Sequence, residues 1–315
     1  MKKEMRLDIR LGIKYPIIQG GMANIADGAF AAAVSNAGGL GLIATGGLSV
    51  ERLEEEIEKC RSLTANPFGV NLMLMHPQAT EIADLLAKKE IPVITTGAGN
   101  PSRYMDMWKD AGSLVMPVVP SASIAKRLAE KGADYIIAEG TESGGHVGEM
   151  TTMALIPQVV DAVSVPVIAA GGIADARQLL AAFCLGAAGV QVGTCLLASH
   201  ECPIHENYKN AILSARDNDT IVTGRIAGTP VRILKNTMAR EYVKKEREGA
   251  DKMELETYTL GSLRKAVYDG DTENGSLMAG QVSGQIGEIR SIQEILADLY
   301  EERFAVLKEV SDFLA

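Results

Sequence analysis

Residues 165–194, VPVIAAGGIADARQLLAAFCLGAAGVQVGT, contain two apolar runs separated by a stretch with helical periodicity. The first run, VPVIAA, ends in two glycines, and the second run, GVQV, ends in Gly193 and Thr194. Strands that are apolar throughout are typical of parallel sheets whose faces are covered by crossover helices. The segment therefore predicts a strand, a helix and a second parallel strand, with glycines at the end of each strand.

The same alternation extends toward the N-terminus. Strand-like runs lie at residues 15–20, 40–45, 68–74, 93–98, 114–119, 135–140, 165–172 and 189–199. Their starts are 21 to 30 residues apart, a spacing that accommodates one strand, one helix and two short loops. Eight such units in series predict an α/β fold, a closed (β/α)8 TIM barrel, rather than an open doubly wound sheet, which is the alternative.

The alternation ends near residue 200. Residues 201–271 contain helix-like stretches, including the charged run 240–256, and little that resembles a strong strand. We therefore predict a barrel formed by residues 1–200 and 272–315, with residues 201–271 as a small cap domain. Ser291 and Glu294 form a capping box before an apolar helical face, which predicts a C-terminal helix that returns to the barrel.

Composition excludes several classes of function. The net charge is −9, which argues against nonspecific binding of nucleic acid. The four cysteines have no CxxC spacing and there are only four histidines, so no metal site is predicted. No apolar run is long enough to span a membrane, and no apolar segment follows the N-terminal lysines. The expected location is the cytoplasm, with no membrane partner.

The glycines that end the last two strands are the most specific signal. Barrel active sites lie at the carboxyl ends of the strands, and phosphate sites lie mainly after strands seven and eight. Gly171, Gly172, Gly193 and Thr194 stand at these two positions. Backbone N–H groups in glycine turns bind phosphate, so we predict a phosphate site here. The competing interpretation is that these glycines only make tight turns.

Two ionisable side chains are predicted to face the same end of the barrel. His146 lies in a glycine-rich loop after the sixth strand and is suited to proton transfer near neutral pH. Glu139 ends an otherwise apolar strand, where a carboxylate contacts a cofactor or pairs with a buried cation. His76 also follows a strand and is a weaker candidate. His200 and His205 lie beyond the eighth strand and are interpreted as structural.

Several motifs together carry a resemblance to a known family. They are IIQGGMA (17–23), FGVNLML (68–74), TTGAGNPS (95–102), AEGTESGGHVG (138–148), IAAGGI (168–173), QVGT (191–194) and SLMAGQ (276–281). In this order they resemble the 2-nitropropane dioxygenase-like flavoproteins, a group that includes the nitronate monooxygenases. Residues 216–236 resemble the cap region of the enoyl-[acyl-carrier-protein] reductase II branch of this group, so the resemblance covers nearly the whole chain.

The resemblance implies an FMN-dependent redox enzyme. The positions that match FMN contacts of the family are Gly21, Met22, Ala23, Asn71, Glu139, Gly145, Ala170, Gly171, Gly172, Gly193, Thr194, Met278 and Gln281. His146 matches the active-site histidine of the family, which polarises the thioester carbonyl or delivers a proton. The reductant would be NADH or NADPH, and a monovalent cation would assist at a position that the sequence does not indicate. A homodimer is expected.

The reductase branch implies that the substrate is a trans-2-enoyl thioester on acyl carrier protein. Since that protein is acidic, this acidic chain needs a local basic patch. The predicted cap offers Arg232, Lys235, Arg240, Lys244, Lys245 and Arg247. Glu246 and Glu248 interrupt this run, so an ordinary solvated helix face is the competing interpretation.

Two other functions are compatible with the same residues. A nitronate monooxygenase would use the same barrel, FMN and histidine without a pyridine nucleotide. A barrel that binds a phosphate ligand without flavin, such as an isomerase, would use the same glycines. Reduction of bound flavin by NADH or NADPH separates the first alternative from the reductase, and a visible flavin spectrum tests the second.

Overall fold

A computed structural model of the chain describes residues 6–315. The strands and helices up to residue 197 are α1 (Leu7–Leu11), β1 (Ile17–Gln19), α2 (Gly28–Asn36), β2 (Gly41–Ala44), α3 (Val50–Leu63), β3 (Phe68–Met73), α4 (Ala79–Lys88), β4 (Val93–Gly97), α5 (Ser102–Asp110), β5 (Leu114–Val119), α6 (Ala122–Glu130), β6 (Ile136–Glu139), β7 (Gly145–His146), α7 (Thr152–Ala162), β8 (Val167–Ala170), α8 (Ala176–Cys184), β9 (Gly189–Val192) and α9 (Thr194–Leu197). The rest of the chain forms α10 (Glu206–Leu213), β10 (Thr220–Thr223), β11 (Val231–Leu234), α11 (Thr237–Arg247), α12 (Lys252–Thr259), α13 (Ser262–Arg264), a π-helical turn (Lys265–Asp269), a 3-10 turn (Gln281–Gln285), α14 (Ile292–Glu301) and α15 (Arg303–Leu314).

Eight parallel strands form the predicted barrel, in the order β1, β9, β8, β6, β5, β4, β3, β2. Backbone hydrogen bonds close it between the first and last of these strands. The Gln19 N–H donates to the Leu40 carbonyl at 2.9 Å, and the Leu40 N–H donates to the Ile17 carbonyl at 2.9 Å. The predicted TIM barrel is therefore confirmed, and the open-sheet alternative is wrong.

The side chain of Gln19 reinforces this closure. Its Nε2 donates to the Leu42 carbonyl at 3.0 Å, and its Oε1 accepts from the Leu42 N–H at 3.2 Å. The residue is fully buried, so these bonds satisfy an amide that would otherwise be costly to remove from water. A polar residue at the end of an apolar strand here joins two strands of the barrel.

One predicted strand is shorter than expected. The apolar run 189–199 was predicted as one strand, but β9 ends at Val192 and α9 begins at Thr194. Cys195, Leu196 and Leu197 are buried as helix. A short apolar run does not by itself distinguish a strand from a buried helical turn, because both faces of each are covered.

A second, three-stranded sheet lies outside the barrel, in the order β10, β11, β7. The expectation that residues 201–271 hold little strand structure was therefore wrong, since β10 and β11 pair through four residues each. The charged run 240–256 is also two helices, because α11 ends before Gly249, whose φ is +87°. We call the sheet β10, β11 and β7, together with α11 and α12, the cap.

The division of the chain into a barrel and a small domain at residues 201–271 remains a proposal. Tyr208 and Ile212 of α10 are buried in the apolar cluster of the barrel. Ile233, Met238 and Tyr242 belong to a separate cluster between the cap sheet and its helices. We propose on this packing that the small domain begins after α10.

The C-terminal helix packs against the barrel as predicted. Ser291 and Glu294 form the capping box of α14, and Ile292, Leu296 and Leu299 are buried. The following helix, α15, was not expected as a separate element and has no buried residue. No helix among residues 6–315 is both long and apolar enough to cross a membrane.

Candidate active site

The carboxyl ends of β8 and β9 carry the predicted phosphate turns. Gly171 and Gly172 have φ values of +90° and +73°, a region that side-chain-bearing residues rarely adopt. A Cβ added to Gly171 would lie 2.7 Å from the Gly140 carbonyl oxygen. Ala170, the last residue of β8, accepts a hydrogen bond from the Gly140 N–H at 2.9 Å. The turn after β8 is therefore packed tightly against the turn after β6.

Thr194 joins the turn after β9 to the glycine-rich segment 274–287. Its hydroxyl accepts from the Gly280 N–H at 2.9 Å in a buried position. Gly193 precedes it, and a Cβ there would lie 3.6 Å from the Met22 sulfur of the β1 loop. The turns after β1 and β9, together with a segment some 80 residues later, thus meet at one point.

Glu142 ties the loop after β6 to its surroundings. Its carboxylate accepts from the Thr152 N–H and hydroxyl, each at 2.9 Å. The Gln281 N–H donates to its backbone carbonyl at 2.9 Å. A Cβ at Gly172 would lie 3.2 Å from the Glu142 Cβ. Glu142 and Thr152 were not among the predicted site residues, because nothing in their local pattern indicates this pairing.

The opposite side of the barrel mouth is formed by β1, β3 and β4. A Cβ at Gly21 would lie 2.3 Å from the Asn71 side chain, so only glycine fits there. The Asn71 Nδ2 donates to the Thr95 hydroxyl at 2.8 Å. Ala23 lies against Gly46 in the loop after β2, since a Cβ on Gly46 would be 2.6 Å from the Ala23 Cβ.

Glu139 is an uncompensated carboxyl at the end of β6. Removal from water raises its pKa from the ordinary 4.5 to about 7, and Ser143 opposes the shift in part. No salt bridge reaches it from the residues that the structure describes. A carboxyl with this pKa carries both protonation states near neutrality, which is common at functional sites.

His146 lies on β7, a strand of two residues. β7 pairs with no barrel strand but with β11 of the cap, where His146 lies opposite Val231 and Gly145 opposite Arg232. The residue is exposed, yet nearby atoms partly desolvate the imidazole and lower its pKa from the ordinary 6.5. Met278 lies beside this strand, with its sulfur 3.6 Å from the place of a Cβ on Gly145.

Arg232 connects the cap to the loop that precedes His146. It is 6% exposed, its Nε donates to the Thr141 carbonyl at 3.0 Å, and its guanidinium donates to the Thr220 hydroxyl at 2.9 Å. Burial, with a contribution from Arg225, lowers its pKa, and Glu142 opposes this. The expectation that Arg232 contributes to a surface patch was therefore wrong, because its guanidinium is buried and donates its hydrogen bonds to Thr141 and Thr220.

Two of the other histidines make local contacts. His76 Nδ1 accepts from the Gln78 N–H at 3.0 Å, and His205 Nδ1 accepts from the Asn207 N–H at 3.1 Å at the start of α10. These bonds support the structural interpretation of His205. They also give His76 a role in shaping the turn before α4.

Comparison with known proteins identifies the family. Residues 4–92 and 81–302 match the family model described as nitronate monooxygenase. The chain belongs to this family. The nitronate monooxygenase family and its FabK members are FMN-dependent flavoenzymes, so the chain is an FMN-dependent oxidoreductase.

Three relatives cover nearly the whole chain. The solved structure of FabK from Thermotoga maritima has a TM-score of 0.95 and 44% identity, and the match covers 98% of each chain. A (3aS,4S,5R,7aS)-5-hydroxy-7a-methyl-1-oxo-octahydro-1H-indene-4-carboxyl-CoA dehydrogenase from Mycobacterium tuberculosis is 30% identical over 96% of both chains. A probable nitronate monooxygenase from Staphylococcus aureus strain MSSA476 is 34% identical over 89% of this chain and 92% of its own.

The described site fits the FMN of this family. The backbone N–H groups of Gly171, Gly172 and Gly193 donate to no other backbone group among residues 6–315, so they remain for a phosphate group. One buried polar atom of β9, Gln191 Oε1, has no hydrogen-bond partner within residues 6–315. Unpaired buried polar atoms are rare, and a polar ligand satisfies them. Gln191 lies within the QVGT motif but was not predicted as a cofactor contact. A polar residue inside an otherwise apolar strand is the sequence feature that could have indicated it.

Proposed function

We propose that this nitronate monooxygenase family member is an enoyl-[acyl-carrier-protein] reductase of fatty-acid synthesis. It would reduce trans-2-enoyl thioesters at the expense of NADH or NADPH. The observation that carries the proposal is the position of His146, on a strand that pairs with β11 of the cap and lies beside Met278. The 44% identity to FabK from Thermotoga maritima, which extends through the cap, supports it.

The glycine turns and the residues around Asn71 would hold the cofactor. Gly171, Gly172, Gly193 and Thr194 would bind its phosphate. Gly21, Met22, Ala23, Asn71, Glu139, Gly145, Ala170, Met278 and Gln281 would surround the rest of it. When bound, FMN supplies the redox chemistry, since it accepts a hydride from a reduced nicotinamide and returns a hydride to an electron-poor carbon.

His146 would act on the thioester carbonyl. A neutral imidazole donates a hydrogen bond from one ring nitrogen, and a donor placed at a developing enolate oxygen stabilises it. The lowered pKa of His146 favours this role over that of a charged acid at neutral pH. The strand pairing with β11 would fix the backbone of the histidine relative to the substrate.

An anaerobic flavin titration tests the proposal. The purified holoenzyme is mixed with NADH or NADPH, and the loss of flavin absorbance near ~450 nm is followed. A crotonyl thioester is then added. We expect bleaching by at least one nucleotide and recovery of the oxidised spectrum by the thioester. Bleaching without recovery, or no bleaching, would rule out the reductase function.

A nitronate monooxygenase is the second candidate. It is favoured by the family description and by the name of the Staphylococcus aureus relative. In that function His146 would remove a proton from a nitroalkane, and no pyridine nucleotide would be required. Oxygen consumption with a nitronate at a rate above that of thioester reduction would support this candidate.

A further inference from the structure

An open groove of about 420 Å³ lies between β10 and α11 of the cap. Its lining residues are Ile221, Arg240, Val243, Lys244, Arg247 and Glu248. All except Ile221 belong to α11 or its C-terminal end, and Ile221 lies on β10. The lining therefore consists of two apolar residues, three cations and one carboxylate. We call it the α11 groove.

The cations of the α11 groove are largely free of ion pairs. Among residues 6–315, Arg240 and Arg247 have no carboxylate within 4.0 Å, and Lys244 reaches only Glu248 at 3.9 Å. All three are exposed. In a chain with net charge −9, three adjacent cations without strong partners form a local positive field.

The other cations of the predicted basic patch are engaged elsewhere. Arg232 is buried against Thr141. Lys235 donates to the Asn218 carbonyl, and Lys245 forms an ion pair with Glu254 at 3.1 Å. Of the six cations predicted for the basic patch, only Arg240, Lys244 and Arg247 line the groove.

The shape of the groove favours a helix over a small anion. Arg240, Lys244 and Arg247 are spaced i, i+4, i+7, so they form a row about 10 Å long on one helix face. One helix supplies nearly all of the lining, so no opposite wall encloses a small ligand. Small-molecule sites bury most of their ligand, whereas a row of charges on an open surface complements a row of carboxylates on a partner helix.

The α11 groove and His146 share one sheet. Ile221 on β10 lies opposite Ile233 on β11, and β11 pairs with β7 at His146. Two strand spacings separate β10 from β7, a lateral distance of about 10 Å. A carrier seated in the groove would therefore be close to the histidine, with the thioester on a flexible arm between them.

We propose that the α11 groove is the docking site for an acidic helix of the carrier protein that delivers the enoyl thioester. This inference rests on the proposed reductase function and adds the surface and the residues that bind the partner. Arg240, Lys244 and Arg247 bind carboxylates of the partner, and Ile221 and Val243 contact its apolar side chains. The reacting acyl group is handled by the site around His146.

The test compares one acyl group on three carriers. The variant R240E/K244E/R247E is assayed with crotonyl groups on acyl carrier protein, on coenzyme A and on N-acetylcysteamine. The matched control is K126E/R127E/K131E, which reverses three exposed cations at α6 on the barrel. Flavin content and circular dichroism establish that both variants fold.

We expect the groove variant to raise KM for the carrier-protein substrate about 10-fold or more at low salt. Its kcat/KM for the N-acetylcysteamine thioester stays at the wild-type value. The control variant changes neither the KM for the carrier-protein substrate nor the kcat/KM for the N-acetylcysteamine thioester. The wild-type KM for the carrier-protein substrate rises with ionic strength, because salt screens exposed charges. If the groove variant does not fold, the single variant R247E is expected to show a smaller rise in KM for the carrier-protein substrate, again with no change for the N-acetylcysteamine thioester.

Three results overturn the docking site. They are an unchanged KM for the carrier-protein substrate, an equal rise for the coenzyme A thioester, which would indicate a nucleotide site, and an equal loss in the control variant. Failure of the wild-type enzyme to reduce any of the three thioesters would instead reject the proposed function. The two failures are therefore distinguishable.

Discussion

His146 and Val231 are opposite each other in an antiparallel ladder, although 85 positions separate them in the sequence. This pairing places the proposed active-site histidine on the cap sheet, while the glycines proposed for the cofactor lie on barrel turns. The site is thus assembled from two sheets. Its geometry depends on the contacts that hold β11 against the loop before His146.

Arg232 is predicted to control that geometry. Arg232→Met removes the donor to the half-buried Thr141 carbonyl and Thr220 hydroxyl, and each lost hydrogen bond costs roughly 1 kcal/mol. We expect a lower rate of flavin reoxidation by enoyl thioester and little change in flavin reduction, measured by stopped-flow absorbance. Arg232→Lys should recover part of the rate.

Arg225→Met is the control for this prediction. Arg225 also links the cap to the loop after His146, through Glu149 at 2.7 Å, but both side chains are more than 40% exposed. Exposed ion pairs contribute little, at most about 1 kcal/mol. Equal effects of the two substitutions would contradict a specific role for Arg232.

His146→Ala is predicted to lower turnover of a crotonyl thioester by about 10²–10⁴-fold, the usual contribution of a positioned proton donor. FMN content should stay close to wild type, because the phosphate turns lie on β8 and β9. Turnover is measured with the absorbance of the flavin recorded in the same sample. Near-wild-type turnover in a protein that retains FMN would exclude this role.

The pH dependence distinguishes the two roles of His146. Partial desolvation by nearby atoms lowers its pKa from the ordinary 6.5. If the neutral imidazole polarises the carbonyl, the rate of flavin reoxidation is constant above pH 7 and falls as the histidine becomes protonated in acid. A rate that falls as the pH rises through the pKa of His146 would instead indicate a cationic proton donor.

Gly172→Ala is predicted to weaken FMN binding. Its φ of +73° strains any residue with a Cβ, by roughly 1–2 kcal/mol, and the added methyl group lies 3.2 Å from Glu142. Gly112→Ala is the matched control, since Gly112 has φ +86° at the end of α5 and open space around a Cβ. Both variants should lose stability, but only Gly172→Ala should raise the Kd for FMN, measured by fluorescence quenching.

Glu139 is predicted to make the stability of the apoprotein depend on pH. Its pKa is about 7 in the fold and 4.5 when exposed, so the folded state binds more protons between these values. Stability therefore falls as the pH rises from about 4.5 to 7, by at most roughly 3 kcal/mol. Urea unfolding at pH 5 and pH 8 measures this, and Glu139→Gln should remove the difference that Glu139 contributes.

Much of the site follows from local pattern. Apolar runs and helical periodicity predicted eight strands, because side-chain burial repeats with the geometry of each element. Gly171 and Gly172 were identified because glycines at the end of a late barrel strand allow close backbone approach to a phosphate. The capping box at Ser291 and Glu294 was predicted because its hydrogen bonds span only three residues.

Other parts of the site depend on residues that are distant in sequence. Glu142 and Thr152, the unpaired Gln191 and the small cap strands were missed, since their partners or surroundings are not recorded in local sequence. The six cations of the cap look equivalent in sequence. Burial of Arg232 and the pairing of Lys245 with Glu254 separate them in the fold.

By itself the sequence determined the barrel, the glycine turns and the position of His146 after the sixth barrel strand, because these follow from backbone preferences and short-range periodicity. Only the tertiary structure decided which sheet holds His146, how Gln19 closes the barrel and which cations of α11 remain free. These depend on hydrogen bonds and ion pairs between segments whose distance in sequence carries no information about their distance in space.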